Sequence, residues 1–404
     1  MNSLLEIILI SLLFTFIFSD NIAKIFYNLE KWSFSLFFYN INPFYRTNNL
    51  NLIANCYAEI GDNIKAIEIY NKALKYETSY EIYQNLGLSY VDIGLYDDAY
   101  KNFEKAYKDK YINNYNPKNS YTTKFKIRHD IEQFEYLISK GILDDKYNKK
   151  IDLYKELETK IDANYDFYYS FDNYFDYDKN VYLYKSEFQG HILNNSLEFT
   201  SIQDKYINSK NQIIYFDDFL NPQALEEIRK FCLLSTIWHE YDRKRGYIAS
   251  YLSNGFNFRL IYQLATELQN SFPKIFKQYN LRNVWAFKYM DNSEGVLIHA
   301  DEAVINVNFW ITPDNSNNDK NSGGMIVYNK KAPKNWSFDK YNTNTDYINK
   351  FVNQSDTISE KITYKENRVV IFNSSLFHQT DNFDFKKGYE NHRINITLLF
   401  GKKS

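Results

Sequence analysis

The spacing of apolar positions changes twice along the chain. No charged residue falls between Glu6 and Asp20, so Ile7 to Ser19 is an uninterrupted apolar and neutral run. A helix crossing a bilayer needs roughly 20 such residues, and this run is shorter. It suits a buried first helix, or else a signal or membrane anchor over residues 4–19, although no Lys or Arg precedes it and no Ala-x-Ala site follows. Further on, large and small apolar residues recur at helical spacing in two segments offset by 33 positions. Ile53 aligns with Leu86, Ala54 with Gly87, Tyr57 with Tyr90, Ala66 with Ala99, Tyr70 with Phe103 and Ala73 with Ala106. Gly61 and Gly94 fall between the helices of each pair. Small residues let paired helices approach, and the large ones fill the space beside them. Phe37, in register with Tyr70, predicts a degenerate earlier half-repeat, and the charged helical pattern over 121–160 predicts a degenerate third unit or cap.

Between 163 and 210 the periodicity fails; the aromatic, acidic stretch there reads as connecting structure. From Asn211 the texture is that of strand, turn and helix, with Asn221 as helix cap and Pro222 at the first helical position. An amphipathic helix is predicted over 254–277. Five short strand-like runs follow, in "NVWAFKYM", "AVINVNFWIT", "GGMIVYN", "ENRVVIFN" and "HRINITLLFG". Many short strands after two helices predict a sandwich or jelly roll. The expected fold is therefore α+β and multidomain. An apolar segment over 1–20 precedes a helical repeat solenoid over 21–162, a connecting segment over 163–210 and a jelly-roll domain with supporting helices over 211–404.

Composition narrows the function classes. Lys and Arg total 48 against 50 Asp and Glu, a net charge of -2, so there is no cationic excess for a nucleic-acid partner. Two cysteines, Cys56 and Cys232, exclude a disulfide framework and a cysteine-based zinc cluster. The 38 Tyr and 32 Phe read as compositional bias and do not point to a function.

The chemistry is concentrated on the later strands. His299 and Asp301 are two apart in "LIHADEAV", so strand alternation sends both to one face and turns Ala300 away. His378 follows the strand "RVVIFN". Two histidines and one carboxylate can occupy one face of an octahedral metal and leave three positions open, the arrangement of non-haem Fe(II) oxygenases. Arg393 shares a strand face with Asn395 and Thr397, opposite Ile394, Ile396 and Leu398. An Arg on such a face needs an anion, and a carboxylate held through two hydrogen bonds is the natural partner. His129, His191 and His239 lack metal spacing, and alternation turns His392 to the opposite face from Arg393. Trp238, Trp285, Trp310 and Trp336 read as core.

The 33-residue repeat resembles the tetratricopeptide repeat. The C-terminal half resembles the 2-oxoglutarate/Fe(II)-dependent dioxygenases of the prolyl-4-hydroxylase-like branch. The resemblance is carried by "IYFDDFLNPQALEEIRKF", "FKYMDNSEGVLIHADE", "NSGGMIVYN" and "NRVVIFNSSLFHQTDNFDFKKGYENHRINITLLFG". It implies that His299, Asp301 and His378 bind Fe(II), and that Arg393 binds the distal carboxylate of 2-oxoglutarate. Tyr289, Asn308 and Thr397 are candidates to support the cosubstrate. It further implies O2-dependent hydroxylation with release of succinate and carbon dioxide, on a peptide or protein side chain brought in by the repeats. Two alternatives stand beside this: the same chemistry on a small molecule or a glycan or lipid precursor, or a repeat scaffold with a vestigial oxygenase fold. The cation is Arg where animal prolyl hydroxylases carry Lys, so prolyl specificity does not carry over. The Asn-rich insertion between 314 and 365 is a candidate lid. Supply of Fe(II) and 2-oxoglutarate favours the cytoplasm, with membrane anchoring through residues 4–19 as the alternative.

Overall fold

The computed structural model describes residues 2–41, 47–113, 121–161, 167–168, 177–242, 245–290, 294–353 and 357–403. They divide into two compact units, Met1–Lys110 and Tyr111–Ser404.

The first unit is helical: α1 (Asn2–Asn28), α2 (Trp32–Ile41), α3 (Leu50–Glu59), α4 (Asn63–Ala73), α5 (Tyr80–Asp92) and α6 (Tyr96–Lys108). The repeat alignment is visible in its core, where Ile53, Ala54, Ala66, Tyr70, Ala73 and Leu86 pack together. Small residues act as expected. A methyl group on Gly87 of α5 would lie 2.8 Å from the Phe103 ring of α6, so the two helices touch only because that position is bare. The Asp62 side chain caps α4 by accepting from the Lys65 amide at 3.0 Å. The earlier half-repeat differs from its predicted register. α2 packs through Leu36 and Tyr39, whereas Phe37, aligned with the buried Tyr70, is 61% exposed. The later turns of α1 join this core through Ala23, whose carbonyl accepts from the Ser35 hydroxyl at 2.9 Å. Leu13 and Ile17 are exposed. Among the described residues no helix is long and apolar enough to cross a membrane.

The second unit begins with a helix pair, α7 (Lys124–Ser139) and α8 (Asn148–Lys160). Their shared core is Ile127, Ile131 and Phe134 against Ile151, Tyr154 and Leu157. Sequence periodicity assigns this pair to the repeat domain, but its tertiary bonds run forward. Gln133 donates to the carbonyl of Ser235 at 2.9 Å, and Glu132 lies 3.1 Å from His392. The compact units accordingly divide at 110 and not at 162. Within the predicted connecting segment, residues 163–166 and 169–176 lie outside the described residues. The part nearest the next domain holds α9 (Phe199–Asn208).

Among the described residues, ten strands form two antiparallel sheets of a jelly roll, with α10 (Pro222–Leu234) and α11 (Arg259–Ser271) as supporting helices. Numbered after the short pair β1 (Tyr121–Thr122) and β2 (Phe167–Tyr168), the strands are β3 (Ile213–Phe216), β4 (Glu240–Asp242), β5 (Tyr247–Tyr251), β6 (Leu281–Tyr289), β7 (Ile305–Trp310), β8 (Met325–Lys331), β9 (Ser359–Ile362), β10 (Val369–Asn373), β11 (Leu376–Thr380) and β12 (Arg393–Phe400). The larger sheet runs β3-β10-β7-β12-β6-β5-β4 and the smaller β11-β8-β9. Trp310, Val370 and Phe372 of the larger sheet pack against Met325, Val327, Ile362 and Leu376 of the smaller. Central strand β12 is buried along its whole length, with Ile394, Ile396 and Leu398 on one face and Arg393, Asn395 and Thr397 on the other. Asn221 caps α10 as predicted, accepting from the Gln223 amide at 2.9 Å.

The insertion departs from its reading as a lid. Two short helices within it, α12 (Phe338–Asn342) and α13 (Thr345–Val352), bury Tyr341, Ile348 and Val352 against Ile298, Ala300 and Phe377. Ile298 and Ala300 alternate with His299, so these helices pack behind the histidine strand.

Candidate active site

His299 and His378 form an antiparallel bridge. The His299 amide donates to the His378 carbonyl at 3.0 Å, and the His378 amide to the His299 carbonyl at 2.8 Å. This pairing brings two residues 79 positions apart to one point, with ring centroids 4.3 Å apart. Each ring is held by its own strand: Nδ1 of His299 faces the Leu297 carbonyl at 2.8 Å, and Nδ1 of His378 the Leu376 carbonyl at 3.0 Å. A carbonyl only accepts, so Nδ1 carries the proton on both rings and the lone pair stands on Nε2. Both Nε2 atoms face Asp301, at 3.6 Å from Oδ1 for His299 and 3.4 Å from Oδ2 for His378. One ligand atom from each of the three residues lies within 4.8 Å of the others.

The protonation states suit metal binding. Burial, helped by the neighbouring His378, drives His299 down to about 4, so its ring is neutral near pH 7. Burial alone would raise Asp301, but its contacts with His378, His299 and the Asn306 amide hold it below the usual carboxylate range. The Asn306 amide donates to Asp301 Oδ2 at 2.7 Å and fixes the carboxylate's orientation. Asn306 Oδ1 is buried beside the cluster without a hydrogen-bond partner among the described residues. Such an acceptor suits a group that brings its own donors, as the water on a metal ion does. A neutral His299 imidazole, an ionised Asp301 carboxylate and Nδ1 atoms anchored on both rings fit a divalent metal.

The cluster opens into a cleft of about 420 Å³. His299, Asp301, His378, Arg393, Tyr289, Asn308 and Thr397, singled out from sequence, all line it, together with Trp285, Phe287, Asn306 and Asn395. Cross-strand register explains this: Arg393 opposes Tyr289, and Thr397 sits between Trp285 and Asn308. The Asn308 amide donates to the Thr397 hydroxyl at 2.8 Å.

Arg393 is 2% exposed. Its Nε donates to the Gly323 carbonyl at 2.7 Å, and one Nη to the Gly324 carbonyl at 3.1 Å. The Tyr289 and Phe383 rings stand 4.8 and 5.5 Å from the guanidinium. Among the described residues no carboxylate lies within ion-pairing distance of it. The paired glycines thus act through their carbonyls. A methyl on Gly324 would meet the Ile362 carbonyl oxygen at 1.9 Å, so close approach of β9 requires glycine there. Sequence reasoning missed the roles of Asn306 and of these two carbonyls. Asn306 could have been found, since it alternates with Asn308 in "INVNF". Trp285, read as core, instead lines the cleft, whereas Trp238 and Trp310 are fully buried. His392 faces away as predicted, toward Glu132 of α7.

About half of this chain aligns, at low TM-scores, with each of several solved structures. A Pseudomonas putida prolyl-4-hydroxylase aligns at 10% identity and a TM-score of 0.34, over 50% of this chain and 99% of its own. An oxidoreductase of the 2OG-Fe(II) oxygenase family from Burkholderia pseudomallei aligns at 8% identity and 0.33, over 52% and 92%. HygX from Streptomyces hygroscopicus, solved with nickel and 2-oxoglutarate bound, aligns at 10% identity and 0.33, over 49% and 85%. Likeness at this level leaves the chemistry to be read from the residues themselves. No curated protein matches the sequence. Residues 48–79 and 80–108 match the tetratricopeptide repeat family, so the chain carries two such repeats ahead of the jelly-roll domain.

Proposed function

We propose that this protein is an Fe(II)- and 2-oxoglutarate-dependent dioxygenase that hydroxylates a peptide or protein side chain. The observation that carries the reading is Arg393, a buried guanidinium beside a two-histidine, one-carboxylate cluster and without an anionic partner among the described residues. Arg cannot shed its proton to escape burial, so the cleft is electrostatically incomplete until an anion enters. A dicarboxylate that reaches from the metal face to Arg393 completes it.

His299 Nε2, His378 Nε2 and an Asp301 oxygen would hold Fe(II), and Arg393 would take the distal carboxylate of 2-oxoglutarate. Bound together, iron and cosubstrate supply the oxidising power to hydroxylate an unactivated C–H bond using O2, with succinate and carbon dioxide released. The chain's own residues supply position and dryness. The glycine carbonyls aim the guanidinium, Tyr289 packs on its face, and the Asn308–Thr397 pair offers hydrogen-bonding groups on the cosubstrate side. Trp285 and Phe287 form an apolar wall that keeps water from the reacting centre. The repeats support a polypeptide substrate, since stacked helix pairs of this kind present surfaces to proteins.

The test is succinate production by the full chain with Fe(II), 2-oxoglutarate and ascorbate in air, with a peptide library as substrate. Succinate is expected, rising with productive peptides that gain the mass of one oxygen, and absent in Asp301→Ala. No succinate from folded, iron-loaded protein would contradict the oxygenase reading. Succinate with oxygen found only on small molecules would contradict the polypeptide substrate.

A further inference from the structure

The segment His299-Ala300-Asp301 carries two metal-ligand candidates around one alanine, and every one of its main-chain polar groups is hydrogen-bonded. His299 exchanges both of its groups with His378. The Ala300 amide donates to the Tyr341 carbonyl at 3.0 Å, and the Ala300 carbonyl accepts from the Asn342 side chain at 3.0 Å. The Asp301 amide donates to the Ser374 carbonyl at 3.1 Å, and the Asp301 carbonyl accepts from Lys403 Nζ at 2.7 Å. Only the His299 and Ser374 bonds come from the strand region that carries His378. The remaining three come from helix α12 of the insertion and from Lys403, just beyond β12. Lys403 also sits over the Tyr341 ring at 4.7 Å, so it joins the insertion to the ligand segment. Ala300 itself is fully buried against Tyr341 and Ile348.

We infer that Asn342 and Lys403 are positioning residues, Asn342 locking the main chain between the two ligands and Lys403 the main chain just after the second, and that the insertion serves as a buttress for the metal centre. This rests on the metal-binding reading above. Ligand side chains reach a metal only as accurately as their backbone is held, and a loose carboxylate leaves the ion short of a donor. The β-bridge covers His299 alone, so no sheet bond fixes the Asp301 carbonyl; Lys403 does. Two bonds on Ala300 and one on Asp301 set the direction in which both side chains emerge.

The experiment uses the full chain without oxygen and reads metal binding alone. Fe(II) affinity is measured by competition with a chromophoric chelator, and the absorption spectrum of bound Co(II) reports the geometry of the site. Asn342→Ala and Lys403→Met are compared with Lys403→Arg. The two disruptive variants are expected to bind Fe(II) roughly 10- to 100-fold more weakly with an altered Co(II) spectrum. Lys403→Arg, which keeps a donor, is expected to stay near wild type. The sign of the Lys403→Met effect is diagnostic. Removing a cation near a metal site would by charge alone tighten metal binding, so weaker binding can come only from lost positioning. Wild-type affinity and an unchanged Co(II) spectrum in both disruptive variants, with only a lower thermal midpoint, would reduce Asn342 and Lys403 to structural residues and overturn the inference. A folded wild-type chain that binds neither metal would overturn the metal-binding reading and this inference with it.

Discussion

Two cations lie buried one rung apart on opposite faces of the larger sheet. Arg393 pairs with Tyr289 in the β12–β6 ladder, and Lys288 with Ile394 at the next rung. Lys288 is completely buried and Arg393 nearly so. Lys288 donates to the Tyr389 hydroxyl at 2.9 Å, stands 3.3 Å from His129 Nε2, and lies over the Trp238 and Tyr389 rings at 4.3 and 4.2 Å. Burial pushes it down to about 7, so it can go neutral in place. Burial also lowers Arg393, but a guanidinium stays charged. On the proposed reading Lys288 therefore needs no ligand, and Arg393 does. Similar burial on neighbouring strands thus gives a structural lysine on one face and a ligand-seeking arginine on the other.

The largest expected effect comes from removing the arginine. Arg393→Met should weaken 2-oxoglutarate binding by about 3–5 kcal/mol, measured by anaerobic titration of the metal-loaded protein. The same change should leave the ligand-free protein within about 1 kcal/mol of wild type in thermal unfolding, because relief of the buried charge offsets the donors lost to the Gly323 and Gly324 carbonyls. A large loss of stability alongside the lost binding would break the contrast. Next is Gly324→Ala. The clash with the Ile362 carbonyl should cost about 1–3 kcal/mol and displace the carbonyl that aims Arg393, so cosubstrate binding should weaken along with stability.

Lys288 sharpens the comparison through pH. The unfolded chain holds that proton up to about 10.5 and the folded chain only to about 7, so the unfolded state binds more protons between these values. Stability of the second unit should therefore rise with pH across that window, by up to ~1.4 kcal/mol per pH unit, and Lys288→Met should flatten the slope. Metal and cosubstrate binding should be unchanged in Lys288→Met. The smallest expected effect is at acid pH. Folded His299 stays neutral down to about 4, whereas an unfolded histidine charges near 6.5. Stability should fall as pH drops through that interval, and His299→Gln should remove part of the fall.

Much of the site was legible because strand alternation is a local rule. It placed His299 with Asp301 and Arg393 with Thr397, and turned Ala300 and His392 away, all as observed. The repeat was legible for the same reason, since Ile53, Ala66 and Tyr70 recur at fixed spacing. What escaped was non-local. Phe37 has the right residue type at the right offset, yet α2 packs through Leu36 and Tyr39. The pair α7–α8 has helical periodicity like the repeats, but bonds such as Gln133 to Ser235 span about a hundred positions and decide where it belongs. The glycine carbonyls that hold Arg393 are main-chain groups, which no side-chain pattern records. The insertion shows the limit most clearly. Its composition says only that it is long and polar, and the packing of Tyr341 and Ile348 behind Ala300 decides that it supports the site from behind.

The most direct test is anaerobic absorption spectroscopy of the full chain titrated with Fe(II) and 2-oxoglutarate, beside His299→Ala and Arg393→Met. A visible metal-to-ligand charge-transfer band is expected in wild type, absent in His299→Ala, and formed in Arg393→Met only at far higher cosubstrate. No band in folded, iron-loaded wild type would contradict the assignment of Arg393 to a cosubstrate carboxylate and favour a repeat scaffold with a vestigial oxygenase fold.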